Sequence, residues 1–226
     1  MTVFIGALIG TGALLSIPAT IMGDRRISGV RSVKTLVTTV LAVAIATTVG
    51  WRGANPMSVA ILIGVVLCVV ADWLLGSVDN SATFPFGLGA FLFGYLAYGV
   101  AFITAVDWSA AGTAAPVLVY TLAALCGLWQ YRRLRSIPSG LRIPVIAYVV
   151  IASNLLAASI VLTVAPERSV AGSLPWLYLI GGASIYLSDS FIAHHLFRKA
   201  LPSEELWIMP TYYVGQLAIA TALYLG

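Results

Sequence analysis

The chain has 226 residues, 60% hydrophobic and 9% charged, with a mean hydropathy of +1.00. A soluble domain cannot hide that much apolar surface. The net charge of +4 comes from basic residues gathered between apolar runs, so it is no sign of nucleic-acid binding. No polar linker divides the chain, so residues 1–226 are expected to form a single transmembrane, all-α domain.

Eight apolar spans follow one another at 3–22, 33–50, 57–76, 85–106, 114–131, 142–164, 175–197 and 206–225. Each is close to the roughly 20 residues a bilayer requires. The first span lacks the basic start of a cleavable signal, because Asp24, Arg25 and Arg26 follow its apolar run; it reads as a retained helix. Pro56, Pro85, Pro144 and Pro175 fall near span starts, where a missing N–H is harmless. Pro18, Pro116 and Pro210 lie within spans or near their ends, where they kink a helix. Cys68 and Cys126 both sit in apolar stretches and are expected as buried free thiols.

Arginine and lysine set the orientation. The connections after spans one, five and seven, with their flanks, hold Arg25, Arg26, Arg31, Lys34, Arg132, Arg133, Arg135, Arg142, Arg198 and Lys199; the opposite side holds Arg52 and Arg168. This places the basic connections in the cytoplasm and both termini on the non-cytoplasmic side, and it requires an even number of crossings. A multi-pass protein of a bacterial inner membrane is the expectation.

The most informative span is the seventh. It is apolar for a dozen residues and then places Ser188, Asp189 and Ser190 within hydrocarbon. A carboxylate there costs about 2.5–3.5 kcal/mol on insertion scales and persists where it faces a polar interior. Asp72, in CVVADWLLG of span three, has the same setting. Both acids lie about 15 residues from the outer end of their spans, roughly 22 Å deep at 1.5 Å per residue. Tyr212, Tyr213 and Gln216 of span eight reach a similar level, Tyr95, Tyr98 and Asn154 lie nearer mid-depth, and Lys34 begins span two near the cytoplasmic surface. The polar side chains thus gather in one slab. VVADWLLG also resembles YLSDSFIA, and GYLAY loosely resembles GQLAI, a weak echo of two four-helix halves sharing one orientation.

Two carboxylates in one apolar site suit acid–base chemistry, although each could instead bridge helices or pair with Lys34. Met209, Tyr212, Tyr213 and Gln216, like Phe91, Tyr95, Tyr98 and Phe102, recur at helical spacing and carry hydroxyls or an amide on their faces. His194 and His195 are adjacent and project from different faces. Zinc needs three or four convergent ligands, so no metal and no cofactor are expected.

Lys34, Asp72, FGLGAFLFGYLAYGVAF, AYVVIASNLLAASI, LSDSFIA and PTYYVGQLAIA, in that order and spacing, resemble the lysoplasmalogenase (YhhN-like) family of eight-helix membrane proteins. The resemblance runs from span two to span eight. Two positions depart from it: Gly94-Tyr95 stands where the family typically has Gly-His, and Lys34-Thr35 where it has Lys-Pro.

The resemblance implies hydrolysis of the vinyl ether bond of lysoplasmalogens to a fatty aldehyde and a glycerophospho-base. Its partners would be a lysophospholipid, water and membrane lipids, with no nucleic acid. Vinyl ether hydrolysis begins with protonation of the β-carbon, so it needs a carboxylic acid and a nearby anion for the oxocarbenium ion. Asp72 and Asp189 are the expected catalytic residues. Lys34, Tyr95, Tyr98, Asn154, Ser188, Tyr212, Tyr213 and Gln216 are the expected substrate-binding residues. The competing reading is a transporter of a small or lipid-like solute built around the same acid pair.

Overall fold

The computed structural model describes residues 1–25, 27, 29–75, 83–199 and 201–226. Arg26, counted above among the cytoplasmic cations, lies outside the described residues. Eight long helices account for most of the rest: α1 (Thr2–Asp24), α2 (Val30–Arg52), α3 (Pro56–Leu75), α4 (Phe84–Thr104), α5 (Ala114–Arg133), α6 (Arg142–Val164), α7 (Pro175–Phe197) and α8 (Glu205–Leu225). Each falls on one of the expected apolar spans, and no strand occurs among the described residues.

Helices of 20 to 23 residues without a polar face have two ways to hide their apolar sides: against one another or in lipid. This chain uses both. Leu41, Ile45, Met57, Ile61, Phe102 and Leu155 are fully or almost fully buried between helices, whereas Leu14 is 71% and Ile143 80% exposed on the outside. Helices α1 to α5, and the stretch Ser139–Val164 containing α6, are long and apolar enough to cross a membrane. Helices α7 and α8, which carry Asp189, Tyr212 and Gln216, are of similar length and fall outside that set.

Seven helices close a ring in the order α1, α2, α3, α4, α6, α7, α8 and back to α1, with α8 also touching α2 across it; α5 packs on the outside of α6. The halves pack alike. The contacts α1–α2, α2–α3 and α3–α4 correspond to α5–α6, α6–α7 and α7–α8, and α8–α2 corresponds to α4–α6. Helix α1 also packs on α8.

Two glycine crossings bring the acid-bearing helices close to their neighbours. A Cβ at Gly64 would lie 3.0 Å from the Gly94 carbonyl oxygen, and one at Gly94 would lie 3.0 Å from that of Gly64. Gly181 and Gly215 repeat the arrangement between α7 and α8, at 3.2 and 3.0 Å. Small residues at such crossings let backbones approach where lipid offers no hydrophobic drive for association. Gly64 precedes Asp72, and Gly181 precedes Asp189, by the same two helical turns and a little more.

Short elements absent from the sequence reading fill the connections. Asp107 accepts hydrogen bonds from the Ser109 and Ala110 amides and caps Trp108–Ala111. The Asp107 and Glu167 amides donate to the Ala165 and Ala105 carbonyls, tying the end of α4 to the end of α6. At the opposite end, the Arg135 and Ser136 amides donate to the Phe197 carbonyl and tie the α5–α6 connection to α7. Arg31 stacks over Trp73 at 4.0 Å and Arg133 over Trp129 at 4.4 Å, cations on aromatic faces at the basic end of the bundle. Cys68 is buried and free as expected, but Cys126 is exposed. It lies on α5, the helix outside the ring, so its apolar setting reflects the outer surface and not the core.

Candidate active site

Helices α3 and α7 each present their aspartate to the inside of the ring, and each carboxylate is met by hydroxyls from two other helices. Thr38 of α2 and Tyr212 of α8 both donate to Asp72 Oδ2, the tyrosine at 3.1 Å. Tyr148 of α6 and Tyr95 of α4 both donate to Asp189 Oδ1, at 3.1 and 3.4 Å. The two acids therefore have the same kind of shell, built from corresponding helix pairs. Asp72 is 7% and Asp189 6% exposed, so these bonds replace water almost completely. Asp189 Oδ2 is buried without a hydrogen-bond partner among the described residues.

The acids differ in what they face. A cavity of about 210 Å³ lies between α2, α3, α4, α7 and α8. Asp72, Tyr95, Tyr212 and Ser188 form its inner wall; Phe84, Phe91, Ile192, Ile208 and Met209 line its flanks; Lys34, His195, Glu204 and Glu205 mark its polar end. Asp189 does not line it. It stands behind Tyr95, whose ring stacks on Phe91 at 5.6 Å and meets Tyr148 edge-on at 6.0 Å. No hydrogen bond joins the two carboxylates among the described residues; an aromatic layer separates them.

The remaining expected site residues divide by position. Ser188 lines the cavity, but its hydroxyl donates to the Ile208 carbonyl at 3.0 Å and ties α7 to α8. Tyr98 and Gln216 lie beyond the cavity: the tyrosine donates to Gln216 Oε1 at 2.7 Å, and the Gln216 amide donates to Cys68 Sγ at 3.5 Å. Asn154 lines a different cavity, about 460 Å³ between α5 and α6, together with Tyr120, Gly127, Val149 and Ser153. That cavity is larger but brings no acid to its wall. Tyr213 faces a third, about 250 Å³ between α1 and α8, and its hydroxyl is buried without a partner among the described residues.

Residues 31–223 match the family model described as the YhhN family. The chain belongs to the YhhN family. No curated protein and no solved structure matches it. The YhhN family includes lysoplasmalogenases, and its match, with the apolar helices above, fits a multi-pass integral membrane protein. The matched segment runs from the start of α2 to the end of α8 and so contains every residue of the acid sites.

Three residues of this YhhN-family site escaped the sequence reading, Thr38, Tyr148 and Glu205, and His195 was weighed there only for metal. Thr38 follows Lys34 by one helical turn on the same face, a signal that was available. Tyr148 is the one tyrosine of a span read for its asparagine. Glu205, at the start of span eight, meets Lys34, and the meeting crosses 171 positions of sequence. His195, dismissed as a metal ligand, accepts the Leu201 amide on Nδ1 at 3.2 Å and borders the cavity.

Proposed function

We propose that this protein is a membrane-embedded hydrolase of lysoplasmalogen-type lysolipids, crossing the bilayer eight times with its basic end in the cytoplasm. The observation that carries the reading is a single buried acid, Asp72, on the wall of a cavity whose far end is ionic and whose flanks are apolar. An amphiphile with a phosphate at one end and a chain at the other has that polarity.

Asp72 delivers its proton to the β-carbon of the vinyl ether. The double bond shifts to an oxocarbenium ion between the α-carbon and the ether oxygen. Water adds to the α-carbon and returns a proton to the Asp72 carboxylate. The hemiacetal then breaks its bond to the glycerol oxygen, which leaves as a hydroxyl, and the other fragment is the fatty aldehyde. Tyr212 and Thr38 hold the reacting carboxyl in place. Asp189 acts through Tyr95, keeping a hydroxyl dipole aimed at the cavity where positive charge develops. Lys34 sits at the end suited to the phosphate.

The test is incubation of the purified protein with a panel of vinyl ether, alkyl ether and acyl lysolipids in detergent, reading aldehyde and fatty acid separately. The proposal expects aldehyde from the vinyl ether lipid with no ion gradient. Absence of aldehyde from every lipid overturns it.

A further inference from the structure

The polar end of the cavity contains a fixed ion pair. Lys34 Nζ donates to both Glu205 oxygens at 2.8 Å, and the two side chains are 15% and 22% exposed. Gly23, at the end of α1, passes directly over the pair: a Cβ there would lie 3.1 Å from Glu205 Oε2 and 3.3 Å from Lys34 Cε. Three helices thus converge on this contact. Among the described residues Lys34 is the single lysine or arginine lining the cavity, whose wall also carries Glu204, Glu205 and Asp72.

The cation suited to a phosphate is therefore already neutralised, by a carboxylate that binds it through both oxygens. A phosphate that takes Lys34 either displaces Glu205 or shares the ammonium with it at the cost of like-charge repulsion. The displaced carboxylate stays in the cavity wall beside Glu204, and a half-buried charge stripped of its partner is unfavourable. A headgroup with its own ammonium resolves the exchange, because one ion pair becomes two: Lys34 with phosphate and Glu205 with ammonium. A phosphoglycerol headgroup or a phosphate monoester brings no cation and leaves Glu205 unpaired.

We propose that Glu205 is a specificity-determining residue: it guards Lys34 and admits phosphodiester headgroups that carry an amine while excluding those that do not. The inference rests on the lysolipid-hydrolase reading of this cavity. Like-charge juxtaposition at such sites discriminates strongly, and about tenfold or more between the two headgroups is expected.

The experiment measures binding of two non-hydrolysable alkyl ether lysolipids of one chain length, with ethanolamine and glycerol headgroups, to the full-length protein in detergent. The wild type should bind the ethanolamine lipid about tenfold more tightly. Glu205→Gln should bring the two within about threefold, chiefly by strengthening the glycerol lipid, and the double variant K34Q/E205Q should lose that gain. Glu205→Asp keeps the charge and should keep the preference, which leaves a readable variant if Glu205→Gln elutes unfolded. Equal binding by the wild type, or an unchanged ratio in folded Glu205→Gln, overturns the inference. The headgroup switch without aldehyde release would sink the hydrolase reading alone; aldehyde release without the switch would sink this inference alone.

Discussion

The Tyr212 hydroxyl donates to the Asp72 carboxylate at 3.1 Å, joining two residues 140 positions apart. Tyr212 is buried and packs edge-on against Phe91 at 5.6 Å, so its oxygen has little freedom. It fixes the carboxyl that faces the cavity and couples α8 to α3, which are not neighbours in the ring. Tyr212→Phe removes one of the two donors to that oxygen and should lower kcat for aldehyde release about tenfold, equivalent to ~1.4 kcal/mol. KM should change little. Steady-state kinetics on the purified variant check this.

The two acids are expected to respond differently. Asp72→Asn removes a general acid and should reduce turnover by about 10²–10⁴-fold. Asp189→Asn and Tyr95→Phe should each reduce it about tenfold, because Asp189 reaches the cavity through the tyrosine hydroxyl. The double variant D189N/Y95F should be no slower than the worse single one, as residues on one path are not additive. Equal losses at Asp72 and Asp189, with an additive double variant, would remove the distinction.

Ring closure depends on the glycine crossings. A Cβ at Gly215 would lie 2.6 Å from Ile185 Cγ1 and 3.0 Å from the Gly181 carbonyl oxygen. Gly215→Ala should destabilise the protein by about 1–3 kcal/mol through overpacking. A lowered thermal midpoint in detergent is the readout.

Tyr213 offers a contrast with its neighbour. Its hydroxyl has no partner among the described residues, and Tyr213 lines the α1–α8 cavity and not the acid one. Tyr213→Phe removes a buried, unsatisfied hydroxyl, so stability should stay the same or rise by up to about 1 kcal/mol. Turnover should stay within about twofold, measured beside Tyr212→Phe.

These contrasts show what a sequence conveys about such a molecule. Apolar runs fixed the eight helices because hydrocarbon length leaves little choice of boundary. Asp72 and Asp189 were legible because a carboxylate within an apolar run is expensive. Position along each helix was legible too, as it follows from counting residues. Azimuth was not: Tyr212 and Tyr213 share a depth, yet about 100° of helix rotation sends one to Asp72 and the other to α1. Asn154 is a further case: it lines the cavity between α5 and α6, with its amide against Gly99 of α4. Thr38 and Tyr148 were missed because a hydroxyl in a helix signals nothing until its neighbouring helix is known. Which acid lines the cavity depends on ring order, and that order appears only in the packing.

The central claim is that Asp72 hands a proton to carbon. Hydrolysis of a lysoplasmalogen in D₂O, with the aldehyde trapped before exchange and weighed by mass spectrometry, reads that transfer directly. The account predicts one deuterium per aldehyde, on the carbon beside the carbonyl, and loss of the product in Asp72→Asn. Aldehyde without deuterium, or wild-type product formation by Asp72→Asn, would contradict it.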